Sequence, residues 1–156
     1  MNEQTLDKNA VTEKLNRILE LELAGVVCYT HYALMVYGYN RIPIIAWMRE
    51  QAVQSLGHAQ EAGELITHFG GHPSLAIGPL LETHQHNIAD ILRESLSHER
   101  VALQTYRELL ALVQGRSVLL EDYARRMITE EEMHQGEVDK MLRNPGELSA
   151  FSGSQT

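Results

Sequence analysis

Three observations predict an all-α fold: a four-helix bundle built from two antiparallel helix pairs joined by a long crossover. Along four stretches of the 156-residue chain, apolar residues recur in alternating steps of three and four. That period keeps one face of a helix turned to a core. Pro occupies only four positions, and helix-favouring Leu, Ala, Glu and Gln dominate. Breaks rich in Gly and Pro separate the stretches, two of them short and the central one long.

Residues 1–8 are polar and read as a loose arm. The first helix is expected over about residues 9–39, with Leu15, Leu19, Glu22, Val26, Tyr29, Ala33 and Val36 on its inward stripe. Gly38 and Asn40 break it, and Pro43 suits the first turn of the next helix. That second helix, about 43–69, carries Ile44, Met48, Gln51, Ser55, His58, Ala62, Leu65 and Phe69 inward. Gly70-Gly71-His72-Pro73 ends it, and residues 70–82 form the one long connection. A third helix, about 83–114, has the stripe Ala89, Leu92, Leu96, Glu99, Leu103, Tyr106, Leu110 and Val113. Gly115 stops it, and Ser117 is a candidate N-cap for the fourth, about 117–143. Leu120, Ala124, Met127, Glu131, His134, Val138 and Met141 line that last stripe before Asn144-Pro145-Gly146. The polar tail, 144–156, offers only Leu148 and Phe151 for docking. Helices of roughly 27 to 32 residues span about 40 to 48 Å at 1.5 Å per residue. The whole chain, 1–156, reads as a single domain.

A formal charge of −8 argues against nucleic acid as a partner. The single cysteine, Cys28, excludes an intrachain disulfide and any multi-cysteine metal site within one chain, and it fits a reducing cytoplasm. No apolar run reads as a membrane span, so no membrane partner is expected.

The polar residues on the apolar stripes carry the functional argument. They are Glu22; Gln51, Ser55 and His58; Glu99; and Glu131 with His134. Glu131-x-x-His134 puts a carboxylate and an imidazole on one helix face. Such pairs recur in di-metal centres inside four-helix bundles, but in so Glu-rich a chain one alone is a pattern chance supplies. Its weight comes from a repeat. Glu22 precedes Tyr29 by seven residues and His58 by 36, whereas Glu99 precedes Tyr106 by seven and His134 by 35. Two similar helix pairs would bring both sets to mid-bundle together. Buried carboxylates need a charge partner, and no Lys or Arg falls on the stripes to provide one. Oxygen and imidazole donors without thiolate suit iron or manganese. Two carboxylate-plus-His sets imply two ions, with Glu131 as the natural bridge.

With these residues in view, the chain resembles the bacterioferritin family of the ferritin-like superfamily from about Leu15 to Leu142. Leu15-Asn16, Glu22-Leu23 and Tyr29 look like that family's first helix. His58-Ala59 with Gly71-His72-Pro73-Ser74-Leu75 looks like its second helix and crossover, and Glu131-Glu132-Met133-His134 like its fourth-helix motif. The resemblance implies iron storage in a homo-oligomeric shell and oxidation of Fe(II) by dioxygen or peroxide at an intra-subunit di-iron site. By position, Glu22 and His58 would serve one iron, Glu99 and His134 the other, and Glu131 would bridge them. Tyr29 would be a redox or hydrogen-bonding neighbour, completing a catalytic set of Glu22, Glu99, Glu131 and Tyr29.

Three departures from that family stand out. Ser55 occupies the place of a bridging glutamate, which implies an asymmetric site weakened on the Glu22/His58 side. Leu56 occupies the place of the haem-ligating methionine, so no haem is expected, and Met35 and Met48 read as core packing. The short tail after Arg143 implies a smaller assembly, cage-like or dimer-based. Besides a ferroxidase, the residues leave open an accessory subunit that co-assembles with a related chain, and another manganese or iron oxidoreductase. Elsewhere, His84 and His86 are surface residues at the start of the third helix, solvated or part of a secondary metal site. His98 should point away from the core, and Glu50, Glu61 and Glu64 outward.

Overall fold

In the computed structural model, which describes residues 5–149, four helices follow one another: α1 (Lys8–Met35), α2 (Arg41–His68), α3 (Ile88–Val113) and α4 (Val118–Leu142). No strand occurs among the described residues. Three of the four helix starts are capped by a side-chain oxygen. Asp7 accepts from Ala10 N–H, Asn87 from Asp90 N–H and Ser117 from Leu120 N–H. In α2, Pro43 lies in the first turn, where its missing N–H costs no intrahelical bond. The N-terminal arm is shorter than its polarity suggests, because Leu6 packs on the core and Asp7 is the cap. Of the tail, Leu148 is exposed, and Phe151 lies outside the described residues.

Two boundaries differ from the sequence expectation. The first helix ends at Met35 rather than near Tyr39, because Arg41 supplies the donors its last turn lacks. The Arg41 guanidinium donates to Ala33 O at 3.0 Å and to Val36 O at 2.6 Å. Val36 leaves the helix but stays fully buried, and Gly38, at φ +98°, makes the turn. The third helix starts at Ile88 rather than near Thr83. Here the reason is reach. The connection must return along the bundle past α2, whose 28 residues span about 42 Å at 1.5 Å per residue. The thirteen residues 70–82 would cover that distance only if almost fully extended, at about 43–47 Å, so the strap takes up residues 83–87 as well.

Cross-helix pairs give the directions. Tyr29 meets Glu99 and Glu22 meets Tyr106, so α1 and α3 run antiparallel. Across the opposite faces His58 meets Glu130 and Glu61 meets Arg126, so α2 and α4 do likewise. The crossover runs alongside α1 in its own direction. Asn16 holds His72 O and Ser74 N–H, Gly78 N–H donates to Glu20 O at 2.8 Å, and Glu82 meets His31 at 2.8 Å. At Gly78 a Cβ would lie 3.2 Å from Glu20 O, so glycine lets the strap lie this close.

Packing divides the interior. One apolar cluster joins Leu15 and Ile18 of α1 to Ala62, Leu109, Leu120 and Met127 at one end of the bundle. A second joins Tyr29, Tyr32, Ala33 and Val36 to Met48 and Ile91 at the other. By length and composition alone α1 is long and apolar enough to cross a membrane, a test that core helices also pass. Its most apolar stretch is 56% buried inside the bundle, where it serves as a core helix.

Candidate metal centre

Between the two apolar clusters lies a polar layer to which every helix contributes. Glu22 (α1), Gln51 and Ser55 (α2), Glu99 (α3) and Glu131 (α4) are buried, and His58 and His134 are partly buried at its edge. No Lys or Arg is buried among the described residues. The layer has no protein cation to neutralise it apart from its own histidines.

Glu22, His58 and Glu131 each offer a ligand atom, and these atoms lie within 4.8 Å of one another. His58 Nδ1 stands 3.5 Å from Glu22 Oε1 and 4.0 Å from Glu131 Oε1. Across the layer His134 Nε2 is 3.6 Å from Glu99 Oε1, and Tyr29 lies between them, its hydroxyl 2.9 Å from each. All five sequence-selected ligand candidates are therefore in one layer. The tightest gathering of donors falls on the Glu22/His58 side, the half in which the sequence places the weakness.

The tyrosines are crossed. Tyr29 of α1 donates to Glu99 of α3, and Tyr106 of α3 donates to Glu22 of α1 at 2.8 Å. Burial and the facing carboxylate push both phenols well above their usual range, so they stay protonated donors. His134 stacks on Trp47 with ring centroids 5.8 Å apart and planes 8° apart. His58 has its outer nitrogen, Nε2, 3.0 Å from Glu130 Oε2, which leaves Nδ1 to face the layer.

Burial and the neighbouring Glu99 charge push Glu131 well above the usual carboxylate range. Burial also raises Glu99, but a hydrogen bond from Glu131 and the charge of His134 outweigh it and hold Glu99 low. The two carboxyls therefore titrate as a pair, with Glu131 the one pushed towards its neutral form. His58 is lowered by burial, but Glu22 and Glu130 outweigh this and raise it. One oxygen, Glu131 Oε2, is buried with no hydrogen-bond partner. A buried oxygen in that position is costly unless a cation uses it. The donor set therefore fits a bound metal ion. A cavity of about 570 Å³, lined by Gln51, Ser55, His58, Glu130, Glu131 and His134, leads to the layer from outside.

Sequence reasoning did not assign four of the residues that shape this region. Tyr106 stood on the inward stripe of the third helix and at a repeat position, with no role assigned to it. Glu130 and Trp47 lie one residue off the inward stripes, and the spacing 47–51–54–58 along the cavity wall is the signal that connects Trp47 to His58. Glu94 is buried against the crossover, where it accepts Thr83 N–H at 2.7 Å. His98 does not point away. It is half-buried against α1, with Nε2 3.0 Å from Leu21 O. Glu61 is paired with Arg126 rather than free, and Glu50 is exposed.

The class this defines is a four-helix bundle with a carboxylate–histidine centre between its helix pairs. Residues 12–146 match the ferritin-like domain family, and the chain belongs to it. It is similar to a bacterioferritin of Brucella melitensis, at 34% identity over 100 residues. That match covers 63% of this chain and 60% of the relative, so the aligned part is under two thirds of that protein. Among solved structures, a ferritin-like diiron-carboxylate protein of Bacillus anthracis superposes with a TM-score of 0.83 at 22% identity, covering 88% of this chain and 98% of that one. A dodecameric thioferritin, the bacterioferritin-related protein of Bacteroides fragilis, gives 0.80 at 24% identity, over 89% and 88%. The bacterioferritin of Rhodobacter capsulatus gives 0.76 at 24%, over 86% and 84%. These likenesses confirm the all-α ferritin-like bundle.

Proposed function

We propose that this chain is a bacterioferritin-like iron protein that takes up Fe(II), oxidises it to Fe(III) with dioxygen or peroxide as electron acceptor, and stores the product in a homo-oligomeric shell. The observation that carries this reading is the buried layer itself. Glu22, Glu99 and Glu131 converge with two histidines, no buried Lys or Arg offsets them, and Glu131 Oε2 has no partner. Glu22 and His58 would hold one ion, Glu99 and His134 the other, with Glu131 between them. Bound iron supplies the electron-transfer chemistry. The chain supplies charge compensation and fixed donors. Tyr29 holds Glu99 and His134 in register, Tyr106 holds Glu22, and Glu130 orients His58.

An apolar outer surface supports assembly into the shell. Val27 and Leu34 on α1, and Ile42, Val53 and Leu56 on α2, are exposed. Leu56 offers no ligand atom, so this reading includes no haem held there. A free, buried Cys28 suits a reducing cytoplasm.

The direct test adds Fe(II) anaerobically to the chelator-stripped protein and then admits oxygen. Oxidation faster than in protein-free buffer, with iron retained through gel filtration, is the expected result. A buffer-like rate with no retained iron would refute the enzymatic reading. Ser55 favours a second reading, an accessory subunit that co-assembles with an active relative. Native mass measurement separates the two, because a homogeneous iron-filled assembly of this chain alone excludes the accessory role.

A further inference from the structure

Outside the bundle centre, two imidazoles and a carboxylate meet where the crossover passes α1. We propose that His31, Glu82 and His86 form a second metal site, selective for a divalent first-row ion that accepts imidazole and carboxylate donors, such as Zn(II) or Co(II). It shares no residue with the bundle centre and does not depend on the iron chemistry proposed there.

Geometry is the first support. Each of the three residues offers one donor atom, and all three atoms lie within 4.8 Å of one another. His31 Nε2 is 2.8 Å from Glu82 Oε2, and His86 Nε2 is 3.7 Å from Glu82 Oε1. In a tetrahedral site with bonds of about 2.0–2.1 Å, ligand atoms sit roughly 3.3 Å apart. The two observed distances, each to a different Glu82 oxygen, lie on either side of that value, so rotation of the carboxylate and of the half-exposed rings would bring three donors onto one ion. Each imidazole addresses a different oxygen of one carboxylate.

Preorganisation is the second. His31 comes from α1, Glu82 from the strap 51 residues later, and His86 from the residue before the Asn87 cap of α3. Glu82 is held by His84 N–H, and the next residue, Thr83, donates its N–H to the buried Glu94 carboxylate at 2.7 Å. Asn87 accepts Asp90 N–H at 2.9 Å and fixes the turn that carries His86. A carboxylate buried in the protein therefore anchors the segment that presents the donors. The backbone at His84 adopts φ +57°, uncommon for a non-glycine residue, and its Nδ1 lies 3.9 Å from Glu82 Oε1. That places a third imidazole at hand as an outer ligand.

The chemistry of the set narrows the occupant. Without thiolate it does not select Cu(I), and with two imidazoles it disfavours Mg(II) and Ca(II), which want oxygen. Three protein donors leave at least one coordination position for water.

The test uses the full-length, assembled protein stripped with chelator and equilibrated with Co(II). The parent is expected to bind one Co(II) per chain more than His31→Ala or His86→Gln, each of which alters a partly exposed side chain. Glu131→Gln, which disables the bundle centre, should keep that ion. Crystals soaked in Co(II) should show an anomalous peak between His31, Glu82 and His86. Equal Co(II) stoichiometry in parent and both variants overturns the proposal. So does an anomalous map with density in the bundle centre alone, since the cluster is then an ion pair only.

Discussion

Tyr106 donates its buried hydroxyl to Glu22 Oε1 at 2.8 Å, and this bond is the mirror of the one from Tyr29 to Glu99. Each helix of the α1–α3 pair thus supplies a carboxylate to the centre and a donor to the other helix's carboxylate. Removing the donor leaves a buried carboxylate short of a partner. Tyr106→Phe is expected to destabilise the metal-free protein by about 1.5–3 kcal/mol, the range for hydrogen bonds to charged groups. It should also weaken metal binding about 10- to 100-fold by freeing the Glu22 side chain. Urea denaturation in chelator and Co(II) titration read the two effects separately. An unchanged metal affinity would mean that Glu22 is not a ligand.

The raised Glu131 carboxyl predicts how stability depends on pH. Because the folded protein raises Glu131 above its ordinary value, the protonated form favours folding. That contribution is fully present below the unfolded carboxylate value, about 4.3 for Glu, and it is lost as pH rises through the higher folded value. Glu131→Gln keeps the neutral shape at every pH. In chelator, it is expected to melt above the parent at pH 8, with the gap closing as pH falls towards 4.5, and to lose tight metal binding. A parent that melts higher than the variant at pH 8 without metal contradicts the upward push on Glu131.

Ser55 lines the cavity and touches α1 at Gly25, where a Cβ would lie 3.0 Å from Ser55 Oγ. The open cavity beside it has room for a longer side chain. Ser55→Glu is expected to raise the rate of Fe(II) oxidation about tenfold or more by adding a carboxylate beside His58. If stopped-flow kinetics show no gain, the serine is not what limits the centre.

Gly71 closes the end of α2 against α1. A Cβ there would lie 2.5 Å from Thr12 Cγ2 and 3.1 Å from Ile66 Cγ2. Gly71→Ala should therefore cost about 1–3 kcal/mol, the usual penalty for overpacking. Adding Thr12→Ala should recover part of that loss, and a double-mutant cycle measures the coupling. Strict additivity would place the strain elsewhere.

The helix stripes were legible because bundle packing imposes a period on the sequence. Glu22, Glu99, Glu131, His58 and His134 all fell on stripes that the structure turns to one layer. What the period does not encode is packing against the strap. Glu94 is buried because Thr83 crosses over it, and Trp47 reaches His134 from the flank of its helix. Likewise, the late start of α3 follows from the length the connection must span, a constraint that no local signal near Thr83 reports. His98 shows the same limit, since a one-face template sends it to solvent whereas α1 accepts it.

The strap along α1 also bears on how the molecule comes apart. Helix α1 packs against both α2 and α3, and the crossover holds its outer side at Asn16, Glu20 and His31. Helix α4 makes its close backbone approach to α3. Local opening should begin where the fewest apolar and backbone partners must be given up together. The α4 end of the bundle would therefore exchange its amide hydrogens first, and the middle turns of α1 would keep theirs until the whole domain unfolds. The most apolar stretch of the chain would thus be the last part of the bundle to open.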